Sequence, residues 1–582
     1  MKICNWIIFL NVVLIQSAHC QKFFINDWSN SGMRTSKFVE DEIINVYDRG
    51  VDSTGIIACD QIVQGIINEK VNAKRILFFP KGKYLFTKSI LINRNNIVIR
   101  GEKKETQFLF NLQSKATDCI KITGNLSNES STIVSEANIG LQSIIVKDAT
   151  KFKKGDWIRL QCKDSAIMFS SWARGSLGQI LQIDSIYDNV LILSGSLRYN
   201  YTQLLSPFVT KIDIRSQVGI ECLSLKRIDS TTTQTTNIAF DYCANSWVNG
   251  VESNLTNFAH LAISYSAHIQ VHNSYFHHSH SYGGGGQGYG VVLQFASSQC
   301  KVENNILEHL RHAILFQSGS NGNVVAFNYM IDPYWTQSFS PTNSAGDIVL
   351  HGNFPFANLI EGNINQNSII DNSHGLNGPW NTFYKNRSEL YGIIVTTSNC
   401  VDSLQIIENE ITSSSLGYYV IQGKGNIELA NVVKGNSIPA STLGIDKRSL
   451  FLTNEQFPYC YNEKYLFPYI GKPNSYNYST IPAKENYNEE KYFNCNCEII
   501  NSTKNASSTK KTLQVYPNPI HADGHLFLNG LVNEIFIYDS QGYRIYTGTS
   551  QQINLSLEQP GIFWVKAILP DNTTQSFKLI KF

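Results

Sequence analysis

Asparagine returns at a nearly fixed distance between short apolar segments, and that recurrence restricts the fold more than any other feature of the 582-residue chain. Asn304 in Glu-Asn-Asn-Ile, Asn328 in Phe-Asn-Tyr-Met, Asn386 in Lys-Asn-Arg-Ser and Asn409 in Glu-Asn-Glu-Ile read as one repeated position. Residues 304 and 328 are 24 apart, and 386 and 409 are 23 apart. A period of about 20–30 residues with one short strand set in each marks a solenoid. A side-chain amide suits the repeated position because it bonds the backbone of a tight turn and reaches its counterpart one coil away. Such coils cannot bury a core alone, so they stack. The pattern predicts an all-β solenoid, clearest between residues 238 and 440.

Composition removes other classes. Lys+Arg is 48 and Asp+Glu 46, a formal charge of +2, so the basic field of a nucleic-acid binder is absent. Hydrophobic residues at 42% and aromatics at 12% exclude a disordered chain. The start reads as a secretory signal: Lys2, an apolar run from Ile7 to Ile15, and Ala18-His19-Cys20 as a small-x-small cleavage site before Gln21. No later run is long enough to span a bilayer. Export permits disulfides, but Cys162, Cys222, Cys243 and Cys300 sit singly inside apolar strands and read as buried thiols.

Ahead of the repeats comes an amphipathic helix with Ile62/Ile66 and Val63/Ile67 four apart. It is followed by Ile76-Leu-Phe-Phe-Pro80, the turn Lys81-Gly82-Lys83, Tyr84-Leu-Phe86 and Ile97-Val-Ile-Arg-Gly101. This order resembles the opening of the pectate-lyase-like superfamily of right-handed parallel β-helices: a capping helix, an F-P-x-G-x-Y turn, then a strand ending in Gly. The resemblance extends in pattern over roughly residues 45–450. It implies a right-handed parallel β-helix that works on polysaccharide, without naming the sugar. Strand-and-turn segments within 139–200 read as a small β insertion. Leu513-Gln-Val-Tyr-Pro-Asn-Pro519, Tyr538-Asp539, Gly542, Gly561-Ile-Phe-Trp-Val565 and Lys578-Leu-Ile-Lys581 alternate at period two, as in a small β-sandwich. Their order resembles the type A C-terminal sorting domain of type IX secretion, which implies that the tail is an export address recognised by that machinery. The chain therefore divides into a signal peptide (1–20), a β-helix domain (21–470) carrying the insertion (139–200), a linker (471–511) and a C-terminal β-sandwich (512–582). It is expected to be secreted, extracellular or held at the outer cell surface, and monomeric.

Candidate chemistry comes from aligning Tyr289–Gln294, Arg311–Phe316, Gly346–His351 and Tyr391–Thr396 as strands on successive coils. Period two places Val291, Ala313, Ile348 and Ile393 inward, with Leu293, Leu315, Leu350 and Val395. His312, Asp347, His351 and Thr396 then face out, and His312 and Asp347 share a column about 4.8 Å apart. A carboxylate beside an imidazole fixes its tautomer and suits acid/base work. Arg311 lies at the edge of this face, and Arg387 is a second cation able to hold an acidic group bidentately. His374 falls in the polar, Gly-rich loop 371–379. Tyr334, Trp335 and Trp380 are candidate sugar platforms. His280, Asp371 and Glu361 complete the candidate substrate contacts.

Two enzyme readings follow. A uronate lyase needs a cation and a base, roles open to His312, Arg311, Arg387 and His374, with His351 among the catalytic candidates on the same outer face. A glycoside hydrolase needs two carboxylates flanking the bond, for which Asp347 with Glu361 or Asp371 are the candidates. The Asn-Thr-Asp, Asp-Asp, Gly-His-Gly and Arg-Ile-Lys motifs of β-helix polygalacturonases do not occur. No calcium cluster of the pectate-lyase type is legible, and His277, His278 and His280 lack a carboxylate to complete a metal set, so no metal or cofactor is expected. The preferred reading is a lyase acting on an acidic, uronate-containing polysaccharide by β-elimination. A hydrolase and a non-catalytic carbohydrate-binding or adhesin-like helix are the alternatives.

Overall fold

A computed structural model describes residues 26–34, 38–336, 345–445, 447–452, 480–490 and most of 515–581. The stretch read as a signal peptide (1–20) lies outside these residues. The chain winds as a parallel β-helix in which each full coil lays down three short strands. One coil carries Lys301–Glu303, Ile306–Glu308 and His312–Phe316; the next carries Val324–Ala326, Tyr329–Ile331 and Gly346–Leu350. Each strand pairs in parallel with its counterpart on the neighbouring coil, as in Val302↔Val325, Leu307↔Met330 and Leu315↔Val349. Three parallel faces result, here called the first (with His312–Phe316), second (with Lys301–Glu303) and third (with Ile306–Glu308).

Identical registers stack like side chains. On the second face one interior column runs from Leu77 through Ile99, Ile220, Val248 and Val271 to Val302, Val325, Ile360, Phe383 and Ile406. All belong to one continuous apolar core, so each coil is buried by its neighbours and by little else. The helix Asp60–Asn68 closes the first coil with Val63, Ile66 and Ile67, while Ile62 stays exposed. Seven described cysteines are free thiols, six of them buried.

The asparagine repeat is a pair of hydrogen-bonded ladders. One runs Asn305–Asn328–Asn363–Asn386–Asn409–Asn431, each Nδ2 donating to the next Oδ1 at 2.9–3.1 Å. A second joins Asn323, Asn358 and Asn381. Asn304 is not a rung: it is Asn305 that occupies the repeated turn, and Asn304 donates to Asn273 instead. The interval lengthens to 35 residues between Asn328 and Asn363 because the loop after Tyr329–Ile331 is added to that coil.

A six-stranded antiparallel sheet leaves the helix at Asn125 and returns at Asp213, so pairing begins before 139 and ends after 200. Departure and return are adjacent, since Asp213 pairs with Asn125. This sheet has its own core, which takes in Phe354, Phe356 and Ala357 from the turns between first and second faces. Polar contacts fix it to the same turns: Asn321 Nδ2 donates to Gly178 O at 2.9 Å, and Ile180 N to Ser298 Oγ at 3.1 Å.

Part of the stretch read as linker is structured. The helix Pro482–Asn488 lies against the third face through Ile481 and Ala483, and Tyr487 Oη donates to Glu308 Oε1 at 2.9 Å. The C-terminal stretch forms a four-stranded and a three-stranded antiparallel sheet whose side chains, among them Leu526, Ile537, Val565 and Leu579, meet in a separate cluster. Among the described residues no helix is long and apolar enough to cross a membrane.

Candidate functional site

The first face departs from strict alternation where the candidate site begins. His312 pairs with Gly346, and the ladder resumes at Ile314↔Ile348. Ala313 and Ile314 both belong to the interior core. Leu315, taken as inward from the sequence, instead joins Val292, Val349, Ile369 and Ile394 in a cluster on the opposite face. Asp347 therefore does not share a rung with His312. Its Oδ2 accepts the Gln366 amide at 2.6 Å, and burial pushes the carboxyl from 3.8 up to about 7.

That environment makes Asp347 a group whose folded pKa exceeds its unfolded one. The folded chain keeps a proton there between about pH 4 and pH 7, so this group's stabilising share is present at low pH and is lost as pH rises through that window. Asp347→Asn keeps an acceptor for Gln366 without the ionisation. Urea unfolding should show the variant gaining stability on wild type at pH 8 relative to pH 5. An equal difference at both pH values would contradict the assignment.

Among the candidate residues of this face, the acid and imidazole that meet are Asp371 and His351. His351 follows the strand Gly346–Leu350 and Asp371 follows Ile364–Ile370, and their backbones are one rung apart: His351 N donates to Phe316 O, and Asp371 N to Leu350 O, each at 3.0 Å. His351 Nδ1 lies 2.8 Å from Asp371 Oδ2. Asp371 Oδ1 accepts the Ser373 amide at 2.9 Å. Burial alone would raise the Asp371 carboxyl, but the charge and hydrogen bond of His351 outweigh it and hold the pKa below the ordinary value. In the neutral imidazole, an Nδ1–H donating to the carboxylate leaves the lone pair of His351 on Nε2.

Two further histidines flank this dyad. The His312 ring centre lies 5.7 Å from that of His351 and 4.8 Å from that of Tyr289. Its Nε2 is buried without a hydrogen-bond partner among the described residues. Burial, with Arg311 adding its charge, pushes His312 well below the usual imidazole range, so it is neutral at pH 7. The His374 ring stands edge-on to His351 at 4.9 Å; burial and the His351 charge lower it as well. His374 is set by close backbone approach: Gly352, at φ +76°, leaves no space for a Cβ, which would come within 2.5 Å of the His374 carbonyl carbon.

The antiparallel insertion supplies the other side. Ser170 Oγ lies 3.1 Å from His374 Nδ1, and Ser170 N donates to Asn353 Oδ1 at 2.9 Å. Trp172 stands edge-on to His374 at 5.3 Å and to Phe295 at 5.9 Å. Trp172 is 47% and Phe169 68% exposed, a large apolar surface left beside a polar dyad. The sequence reading missed Ser170, Phe169 and Trp172; the only local signal is the aromatic spacing of Phe169-Ser-Ser-Trp172.

The remaining candidates make other contacts. Arg311 donates to Gly283 O and lies over Trp335 at 5.2 Å. Tyr334 stacks on His309 at 4.3 Å. His280 Nε2 is 3.2 Å from Arg227 O. Arg387 is committed to Glu410 on the third face, Nε to Oε2 at 2.8 Å. Glu361 lies on the second face and accepts the Leu450 amide at 2.9 Å. Trp380 sits half-buried at the turn before Thr382–Tyr384. Asp347 and Glu361 thus do not face Asp371 as a carboxylate pair. Among the described residues no group of three or more His, Cys, Asp or Glu is arranged to hold a metal ion.

Comparison with known proteins adds the following. Residues 43–168 match the family model described as "Rhamnogalacturonase A/epimerase, pectate lyase-like". No curated protein matches. Among solved structures, the tailspike protein gp49 from Pseudomonas phage LKA1 aligns at 13% identity and TM-score 0.46, over 67% of this chain and 77% of its own. A hyperthermoactive exopolygalacturonase from Thermotoga maritima aligns at 10% identity and TM-score 0.36, over 70% and 95%. Over residues 43–168, its first coils and the start of the insertion, this chain is similar to the rhamnogalacturonase A/epimerase, pectate lyase-like family.

Proposed function

We propose that the chain is a secreted enzyme that cleaves an acidic, uronate-containing polysaccharide by β-elimination, with His351 as the base. The observation that carries this is the His351–Asp371 contact at 2.8 Å, flanked by the rings of His312 and His374. Asp371 orients His351 and stabilises the imidazolium that forms. His351 Nε2 removes the proton next to the sugar carboxylate. The released electron pair becomes the ring double bond as the glycosidic C–O bond breaks, and the leaving oxygen takes its proton from water or back from the His351 imidazolium. Arg311, whose charge reaches His312, favours an anionic sugar carboxylate on that side. The family described over residues 43–168 is named for enzymes of pectic polymers, which agrees with this substrate class.

A hydrolase needs two carboxylates flanking the bond, and the displacement of Asp347 and Glu361 counts against it. The test is a panel of uronate-containing glycans followed by ultraviolet absorbance and by reducing ends. Both signals together support elimination. Reducing ends alone mean hydrolysis, and neither signal means a binding protein.

Trp172 serves as a stacking platform for the sugar next to the dyad. Trp172→Ala should raise KM about 3- to 10-fold, the equivalent of ~0.5–1.5 kcal/mol of stacking, and change kcat less. An unchanged KM would remove Trp172 from the site. The C-terminal sheets are read as the type IX export address, so a chain ending before residue 512 should remain in the periplasm of a host that has this pathway.

A further inference from the structure

Ser170 and Trp172 sit on an arm of unusual length for its place in the insertion. Strands Trp157–Gln161 and Gly178–Tyr187 are antiparallel neighbours, with Gln161 opposite Gly178. A hairpin joins such a pair in about 2–5 residues. Here residues 162–177 intervene. Ordering so long a loop costs conformational entropy, which other contacts must offset. Long ordered loops are also where binding groups are carried.

One buried carboxylate closes the arm at its base. Asp164 Oδ1 accepts the Gly175 amide at 2.7 Å and Oδ2 the Leu177 amide at 2.9 Å. The entry of the arm is thereby tied to its exit, 11 and 13 positions later. The Asp164 carbonyl accepts the amides of Ile167 and Met168, both at 2.8 Å, and turns the chain toward the tip. Met168, Ala173 and Leu177 enter the insertion core, while Phe169 and Trp172 stay exposed. At the exit, Arg159 Nη2 donates to Gly175 O at 2.6 Å, and Cys162 Sγ to Leu177 O at 3.5 Å. The tip rests on the scaffold through Ser170 on Asn353 and His374, and Trp172 on His374 and Phe295. Ser176 O packs so closely on Gly319, in a turn between the first and second faces, that a Cβ there would collide with it.

From this arrangement we infer that Asp164 is a positioning residue for substrate binding: by tying both legs of the arm together it holds Trp172 against His374, ready to stack on the sugar beside the dyad. The inference rests on the proposed lyase reading and on Trp172 as its platform. A ring already held in place gives up little freedom when the sugar arrives, and that saving appears as affinity. Asp164 acts through Trp172 and takes no part in proton transfer. Its effect therefore falls on KM and spares kcat.

The full-length protein is assayed by ultraviolet absorbance on the uronate glycan that it cleaves. Asp164→Asn keeps the shape but turns an amino group toward one of the two amides, so a donor faces a donor. KM should rise about 3- to 10-fold, as for Trp172→Ala, with kcat changed less than about twofold. The two changes should not add: the double variant should match Trp172→Ala alone. Asp156→Asn is the control. Asp156 is another buried carboxylate of the insertion, but it accepts the Lys153 amide at 3.0 Å and pairs with Lys211 at 3.2 Å, so KM should stay unchanged. Gly319→Ala presses on Ser176 from the scaffold side and should raise KM with Asp164 intact. Unchanged KM in Asp164→Asn, additive effects or an equal rise in Asp156→Asn overturns the inference and leaves the lyase reading standing. Should Asp164→Asn fail to fold, unchanged KM in Gly319→Ala overturns it in the same way. Unchanged KM in Trp172→Ala removes the platform, and the inference with it. Absence of cleavage of every uronate glycan overturns the lyase reading as well.

Discussion

Replacing His351 by Gln lowers turnover about 10²- to 10⁴-fold, the usual contribution of a positioned general base. The effect falls on kcat, because the proton is moved only in the transition state. Asp371→Asn should produce a loss of similar order with the protein still folded. An asparagine in that place keeps the shape but offers no charge to the imidazolium and no obligatory acceptor for Nδ1–H. The two losses are not additive, since Asp371 acts through His351: the double variant should be hardly slower than His351→Gln alone. Initial rates by ultraviolet absorbance and melting curves for each variant check this. Full activity in His351→Gln would end the assignment, and additive losses would mean that Asp371 works independently.

The second large effect is on stability. Asn363 is fully buried and stands in the middle of the longer ladder. Its Oδ1 accepts from Asn328 N and Nδ2, both at 3.0 Å, and its Nδ2 donates to Val325 O and Asn386 Oδ1, both at 2.9 Å. Asn363→Ala strands the Asn328 amide and the Val325 carbonyl in the interior. At about 1–3 kcal/mol for each of the two orphaned groups, the loss is ~2–6 kcal/mol. That is a large share of the ~5–15 kcal/mol that holds a typical domain. Asn304→Ala, one residue off the ladder, removes the donor to Asn273 and should cost clearly less. Urea midpoints of the two variants decide the matter, and equal losses would show that the ladder has no special weight.

Sequence periodicity revealed the coiled architecture because a stacked coil repeats its chemistry at every turn. Phase was harder. Asn304-Asn305 is a tandem pair, and period alone does not say which member forms the rung. The same one-residue uncertainty placed His312 opposite Asp347 instead of Gly346, and in a strand such a slip exchanges the faces. Alternation also fails at Ala313-Ile314, where two successive side chains enter the core. His351 and Asp371 were both singled out, but as members of different groupings, since their meeting depends on the register between strands of different coils. Ser170 and Trp172 were out of reach for another reason. Ser170 is 204 positions from His374, and a contact across that distance leaves no local pattern.

The adjoining ends of the antiparallel insertion have an evolutionary meaning. Because Asn125 and Asp213 are neighbours, the segment between them behaves as a cassette that a solenoid can accept, lose or exchange with its winding uninterrupted. In this protein the cassette brings Ser170 and Trp172 to His374, whereas the His351–Asp371 pair belongs to the scaffold. Recombination at that single junction would exchange the wall that carries Ser170 and Trp172 and leave the His351–Asp371 pair in place.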